Sequence, residues 1–297
     1  MKFIKFKKSK SFILGFCLTF IVVLATNWLI LNLTAPRIPI LGFHSIIDSP
    51  PPNTNNNNAP TQEPLDIEYT KQDLQEFLDY LVRKDFWFLS TQDLYDYFIA
   101  KSQPLPPQRI GQRPIMISFD DSYKTYYTNL LPILELLEQT YNKKVKVVLF
   151  LNPGSLAKDQ GKSTTHLNCG DLREGLRKGF FDLQSHGLTH KDLTKINPQE
   201  LDFELSESQK QLRQCTEGLD NKTVGIHIAY PYGHVNKQVE AAAAKYYLSG
   251  YLYNSRIFKL GWLRSPYQIP RLSVNRQKTS ERLIKMAERA LKVTVKN

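Results

Sequence analysis

The stretch "PIMISFDDSYKT", residues 114–125, sets an apolar run of strand length directly against two adjacent carboxylates, Asp120 and Asp121. Neighbouring like charges repel, so both stay ionised at one site only if positive charge lies close by. A bound metal cation is the simplest such charge.

Working outward from this run, strand-like and helix-like segments alternate. Residues 145–151, 180–185, 223–230, 249–253 and 269–274 read as further strands, with 37–44 and 86–89 before them. Helical spacing runs through 70–84, where Leu74, Phe77, Leu78 and Leu81 repeat on one face and Thr70 with Asp73 resembles a capping box. Other helices are expected over 91–100, 126–139, 198–215, 236–246 and 279–291. "QPLPPQ", residues 103–108, closes the second of these, because proline cannot continue the helical ladder. No internal repeat is visible. The alternation predicts an α/β fold with a parallel sheet or barrel in one domain.

At 297 residues and 41% hydrophobic composition the chain has ample material for a core. Its formal net charge is +11, but Lys2, Lys5, Lys7, Lys8 and Lys10 supply five of these charges with no acidic residue nearby. The remaining lysines and arginines are dispersed instead of gathered into a stripe. Nucleic-acid binding, which leaves a concentrated basic face, is therefore not expected.

Those lysines precede the uncharged run "SFILGFCLTFIVVLATNWLILNL", residues 11–33. As a helix it is long enough to cross a ~30 Å hydrocarbon core. A cleaved leader has a shorter apolar core and a small-x-small site, and Pro36 sits awkwardly after the best candidate here. We expect a basic cytoplasmic tail (1–10), a transmembrane signal anchor (11–33) and an extracytoplasmic domain (34–297), the lysines fixing the orientation. Cys169 and Cys215 remain as an even pair for that compartment; disulfide and buried thiols are equally open readings. "DSPPPNTNNNNAPTQEP", residues 48–64, is expected to be a disordered loop inserted after the first strand, since its Pro and Asn content leaves little to bury.

Polar residues end several of the strands. His44 follows "PILGF", Asp120 and Asp121 follow "MISF", His186 follows "FDLQS", and Pro231-Tyr232 follows "VGIHIAY". Carboxyl ends of the strands in a β/α barrel converge on one face, so residues far apart in sequence can meet there. In "SHGLTH", residues 185–190, two imidazoles stand four apart around a glycine that permits a turn. Two neutral imidazoles and a carboxylate suit zinc or another divalent metal, with positions left for water and substrate.

The order of "SFDD", "SHGLTH" with "HKDLTKI", and "AYPYG" resembles the polysaccharide deacetylase family, the NodB-homology carbohydrate esterases, over most of residues 38–274. The resemblance implies a distorted (β/α) barrel and metal-dependent removal of N-acetyl, sometimes O-acetyl, groups from glycans. It implies that Asp121, His186 and His190 hold the metal, that Asp120 is the general base and that the Tyr232 backbone N–H, beside Pro231, stabilises the oxyanion. "PILGFHSI" resembles the early motif of a branch in which that histidine is the general acid, which points to His44. Two departures stand out. Ala229 occupies the place where commoner members carry an arginine that orients the base, and no histidine follows His234. Arg271 in "IPRLSV" is the candidate replacement for that arginine.

Each assignment has an ordinary structural counterpart. An aspartate here can simply cap a helix, His44 can be a core histidine, and Pro231-Tyr232-Gly233 can be only a turn. His166, His227 and His234 are read as structural, and Trp262 and Tyr267 as packing before sugar stacking. The expected protein is a membrane-anchored deacetylase of an N-acetylated glycan; the alternative is a non-catalytic glycan-binding protein on the same fold. The polymer, the native metal and the oligomeric state are not legible.

Overall fold

The computed structural model describes residues 10–48, 67–157 and 165–294. Of the loop expected at 48–64, all but Asp48 lies outside the described residues, as does most of the expected basic tail. The chain divides into two units, Met1–Pro36 and Arg37–Asn297.

The first unit is a helix, α1, Lys10–Thr34. Its side chains are described over residues 16–29 and are exposed throughout, among them Phe16, Leu18, Phe20, Val23, Leu24 and Trp28. Among the described residues no helix is long and apolar enough to cross a membrane. For α1 the described side chains cover less than the ~20 residues that a crossing needs.

The second unit is built on parallel strands: β1 Ile40–Phe43, β2 Phe86–Phe88, β3 Arg113–Asp120, β4 Val147–Leu151, β5 Phe181–Ser185, β6 His227–Ala229, β7 Ser249–Tyr251 and β8 Leu272–Ser273. They pair in the order β7-β6-β5-β4-β3-β1-β8, with β2 also on β3. Along one edge of β3, Phe88 pairs with Ile115 and then Ile40 with Met116, so β2 and β1 share that edge end to end. The two ends of the sheet approach through a lone parallel bridge, Tyr251 to Ile269. The sheet is a curled parallel half-barrel, the form that the expected distorted (β/α) barrel takes here. Strand 223–230 shortens to β6 because Gly225, at φ 65°, turns the chain just before it.

Both faces of these strands are covered, which is why they read as nearly unbroken apolar runs. Ile115, Ile117 and Phe119 face a core shared with Leu74, Phe77 and Leu78 of α2, Lys71–Arg83, and with Leu134 of α3, Leu131–Tyr141. Met116 belongs to a different core, inside the curl, with Val148, Phe150 and Tyr251. Period-two alternation then carries Ser118 and Asp120 to the inside as well.

Helix boundaries follow local chemistry. Thr70 caps α2 by accepting from the Asp73 N–H at 3.1 Å. The helix expected over 126–139 begins instead as a π-turn, Tyr126–Leu130, and continues as α3, where Pro132 near the start lacks the N–H that a regular ladder needs. It ends at Asn142, in the left-handed conformation. Helix α4, Cys169–Arg177, was not anticipated; Asn168 and Asp171 form a reciprocal capping box at its start. Helix α5, Pro198–Cys215, has the expected limits. Cys169 and Cys215 are joined by a disulfide, tying the start of α4 to the end of α5.

Candidate active site

The inward turn of Asp120 meets Arg271. Its guanidinium grips both carboxylate oxygens at 2.7 Å, and neither side chain is more than 3% exposed. Arg271 also donates to Leu252 O at 2.9 Å and to Ser118 Oγ at 3.1 Å, and it lies over the Phe150 ring. Burial alone would push the Asp120 carboxyl up; Arg271 and His186 outweigh it and hold the group below the usual carboxylate range. The Tyr126 hydroxyl donates to the Asp120 carbonyl, fixing the strand end.

Beyond β3 the backbone turns sharply, with Asp121 and Ser122 at φ 75° and 59°. Such left-handed geometry is costly for non-glycine residues and persists where surrounding contacts enforce it. Here Ser122 Oγ accepts from the Asn152 N–H at 2.9 Å, and Ser122 O accepts from Leu167. Asp121 is consequently aimed back across the strand ends.

Three nitrogen-bearing rings face it. His186 Nε2 lies 3.4 Å and His190 Nε2 3.2 Å from Asp121 Oδ1, while His44 Nε2 lies 3.7 Å from Oδ2. His186 Nδ1–H donates to Ala229 O at 2.8 Å, which leaves Nε2 as the ring's lone pair on this side when the ring is neutral. Asp121 Oδ1 is buried without a hydrogen-bond partner. Ligand atoms of Asp121, His186 and His190 all lie within 4.8 Å of one another. A buried orphan oxygen facing two imidazole nitrogens calls for a cation, and the donor set fits a divalent metal with borderline preferences such as zinc. Burial alone would raise the Asp121 carboxyl; His186, His190 and His44 outweigh it and lower its pKa.

The loop between the two imidazoles is held by a residue the sequence reading missed. Glu204, a buried residue of α5, accepts the Leu188 and Thr189 N–H groups at 2.9 and 3.0 Å and the Thr189 hydroxyl. Gly187 and His190 take φ values of 75° and 62° in this loop. Asn152 Nδ2 donates to His186 O at 2.5 Å from the other side. Nothing in the local sequence marks Glu204 or Asn152 for this role.

Pro231-Tyr232-Gly233 forms a tight turn with Tyr232 at φ 60°, and the Tyr232 ring stands 4.7 Å from His190, centroid to centroid. His44 packs edge-on against Tyr253, 5.3 Å away, and burial lowers its pKa against the opposing pull of Asp120 and Asp121. Six expected residues, His44, Asp120, Asp121, His186, His190 and Tyr232, therefore share one neighbourhood. Pro231 shapes the turn. Arg271 reaches Asp120 from the residue just before β8, as anticipated for a chain with Ala229 in the third motif. His227 is buried and bonded to Ser249 Oγ at 2.7 Å, in keeping with its structural reading. A cavity of about 530 Å³ lined by Lys71, Glu76 and Tyr141 does not include these residues.

Residues 108–250 match the family model described as polysaccharide deacetylase. A Bacillus subtilis (strain 168) protein named "Putative polysaccharide deacetylase YxkH" is 22% identical over 212 residues, covering 70% of this chain and 61% of its own length. This chain thus spans about three-fifths of that curated relative. A polysaccharide deacetylase from Bacillus cereus superposes with a TM-score of 0.67 at 22% identity, over 85% of this chain and 69% of that one. The Streptococcus pyogenes deacetylase PplD, solved in complex with acetate, gives 0.67 at 22% identity, over 85% and 98%. At these identities the structural likeness is one of fold.

Proposed function

We propose that this chain hydrolyses N-acetyl groups on an extracytoplasmic glycan, releasing acetate and leaving a free amine, with a divalent metal held by Asp121, His186 and His190. The observation that carries the reading is the orphaned Asp121 oxygen facing two imidazole nitrogens, beside a second carboxylate held ionised by Arg271. When bound, the cation supplies Lewis acidity, lowering the pKa of a water and polarising the acetyl carbonyl.

The chain's own groups do the rest. Asp120 accepts the proton of the attacking water, with Arg271 fixing both its charge and its orientation. The Tyr232 N–H donates to the oxygen on which negative charge develops. His44 donates a proton to the departing nitrogen; its lowered pKa makes the protonated ring a stronger acid. Water adds at the carbonyl carbon, the C–N bond breaks, and the acetyl group leaves as acetate. An O-acetyl ester would be cleaved by the same groups, with an alcohol leaving. Zinc is the metal we favour from the two-nitrogen, one-oxygen donor set.

We further propose that α1 anchors the protein in a membrane with the second unit outside the cytoplasm. The uncharged run, flanked by lysines on one side only, supports this orientation, and apolar side chains on every exposed face of α1 suit lipid better than water. The Cys169–Cys215 disulfide suits an oxidising compartment.

The binding-protein alternative drew on the absent motif arginine; the Arg271 guanidinium on Asp120 supplies a cation at that carboxylate and favours the hydrolase reading. The test is acetate release by the full chain in detergent from acetylated glycan oligomers, with chelator or added zinc, beside Asp120→Asn and His186→Ala. Metal-dependent release lost in both variants supports the reading. Glycan binding without release in the wild type overturns it in favour of the alternative.

A further inference from the structure

Two left-handed turns flank the site, and a polar contact outside the metal set joins them. His234 Nδ1 lies 3.0 Å from Asp192 Oδ2. Asp192 stands two residues after His190, and His234 two residues after Tyr232. Between them, the His190 and Tyr232 rings are 4.7 Å apart and the Tyr232 and His234 rings 5.9 Å.

Asp192 is anchored independently of His234. Its Oδ1 accepts from the Thr194 N–H at 3.1 Å and the Thr194 hydroxyl at 2.6 Å, and the side chain is only 11% exposed. Lys195 Nζ reaches Oδ2 at 3.0 Å from a 75% exposed position. Asp192 is thus a rigid acceptor on the loop that follows His190, and the His234 ring is the group that spans to it. The turn bearing Tyr232 otherwise closes on itself, through Gly233 N–H to Tyr230 O and His234 N–H to Pro231 O. Those bonds set its shape without tying it to the His190 loop.

We propose that Asp192 and His234 form a positioning pair that locks the oxyanion turn to the metal-ligand loop, so that the Tyr232 N–H and His190 keep one fixed relation. Neither residue touches the reacting atoms. A donor that strengthens its bond only as charge develops must already be aimed there, and displacement of about 1 Å is enough to cost rate. The pair rests on the proposed deacetylase reading for its consequence in catalysis, while its effect on His190 is independent of turnover.

The test compares His234→Ala, His234→Asn and Asp192→Asn in the full chain, with Lys195→Ala as control. Asparagine at 234 places an amide N–H where the imidazole Nδ1–H was. Two quantities are read: zinc affinity by calorimetric titration, and kcat and KM for acetate release. We expect His234→Ala and Asp192→Asn to weaken zinc by roughly tenfold, as for residues that orient a ligand from behind. Their kcat falls by roughly ten- to a hundredfold with KM within about twofold. His234→Asn recovers most of both losses, and Lys195→Ala matches the wild type.

Unchanged zinc affinity in His234→Ala overturns the lock on His190. Equal losses in His234→Asn and His234→Ala also overturn the proposal, because the ring's bulk and not its bond would then matter. If the wild type releases no acetate, the deacetylase reading fails and the zinc titrations still decide the positioning claim.

Discussion

Arg271 and Asp120, 151 positions apart, form a two-pronged ion pair with both bonds at 2.7 Å, sealed inside the curl of the sheet. Because both groups are buried, each depends on the other. Removing one leaves an uncompensated charge, which costs about 3–5 kcal/mol in comparable pairs. Arg271→Met is therefore expected to lower the denaturation midpoint strongly and abolish acetate release. Arg271→Lys keeps the charge but not the fork; it should retain more stability than Met while still losing most of the rate. Urea unfolding beside steady-state kinetics checks both, and a fully active Arg271→Lys would refute the role given to the fork.

The metal set predicts a sharp division among neighbouring variants. Asp121→Asn, His186→Ala and His190→Ala should each lose zinc binding, with activity down by at least ~100-fold, since the cation both activates water and polarises the carbonyl. His44→Gln should bind zinc nearly as the wild type does while losing rate, because it is assigned to proton donation. Equilibrium dialysis against zinc separates the two groups. Loss of zinc in His44→Gln would make it a ligand instead.

His227 carries a pH dependence of stability unconnected with the site. Burial pushes its pKa down to about 3, against about 6.5 in an unfolded chain. Between these values the unfolded state binds the extra proton, so stability rises with pH through the window and is fully present above about 6.5. On acidification it falls by up to ~1.4 kcal/mol per pH unit from this residue. Urea midpoints at pH 4.5 and 7 should differ less in His227→Gln than in the wild type. Equal differences would show that the histidine is not the source.

The Cys169–Cys215 bond spans a separation of 46 residues. In the chain-entropy description a loop of that length contributes about 4 kcal/mol by restricting the unfolded chain. The Cys169→Ser/Cys215→Ser double variant should unfold at clearly lower urea while keeping near-normal kcat, since neither residue belongs to the site. A midpoint unchanged by the double substitution would mean that the packing of α4 against α5 already holds these helices together.

What was legible in the sequence was what chemistry writes locally. A Thr-x-x-Asp cap starts α2, proline limits helices, and apolar spacing marks the strands. Adjacent aspartates after a strand and two histidines around a glycine already pointed to a cation, because ligands that must converge on one ion are drawn from short strand-end motifs. The family resemblance turned those motifs into roles.

Tertiary structure decided what depends on groups meeting across distance. The pairing of Arg271 with Asp120, the grip of Glu204 on the loop from Gly187 to Thr189, the contact of His234 with Asp192 and the choice between disulfide and free thiols all join residues with no shared local pattern. Sheet closure was of the same kind: period and composition predict parallel strands, but curl and register arise from the packing of all of them at once. A local motif can specify which atoms are available to bind a metal. Only the assembled sheet specifies which buried cation stands behind Asp120, because that contact is selected by burial and geometry and leaves no signature in its neighbours along the chain.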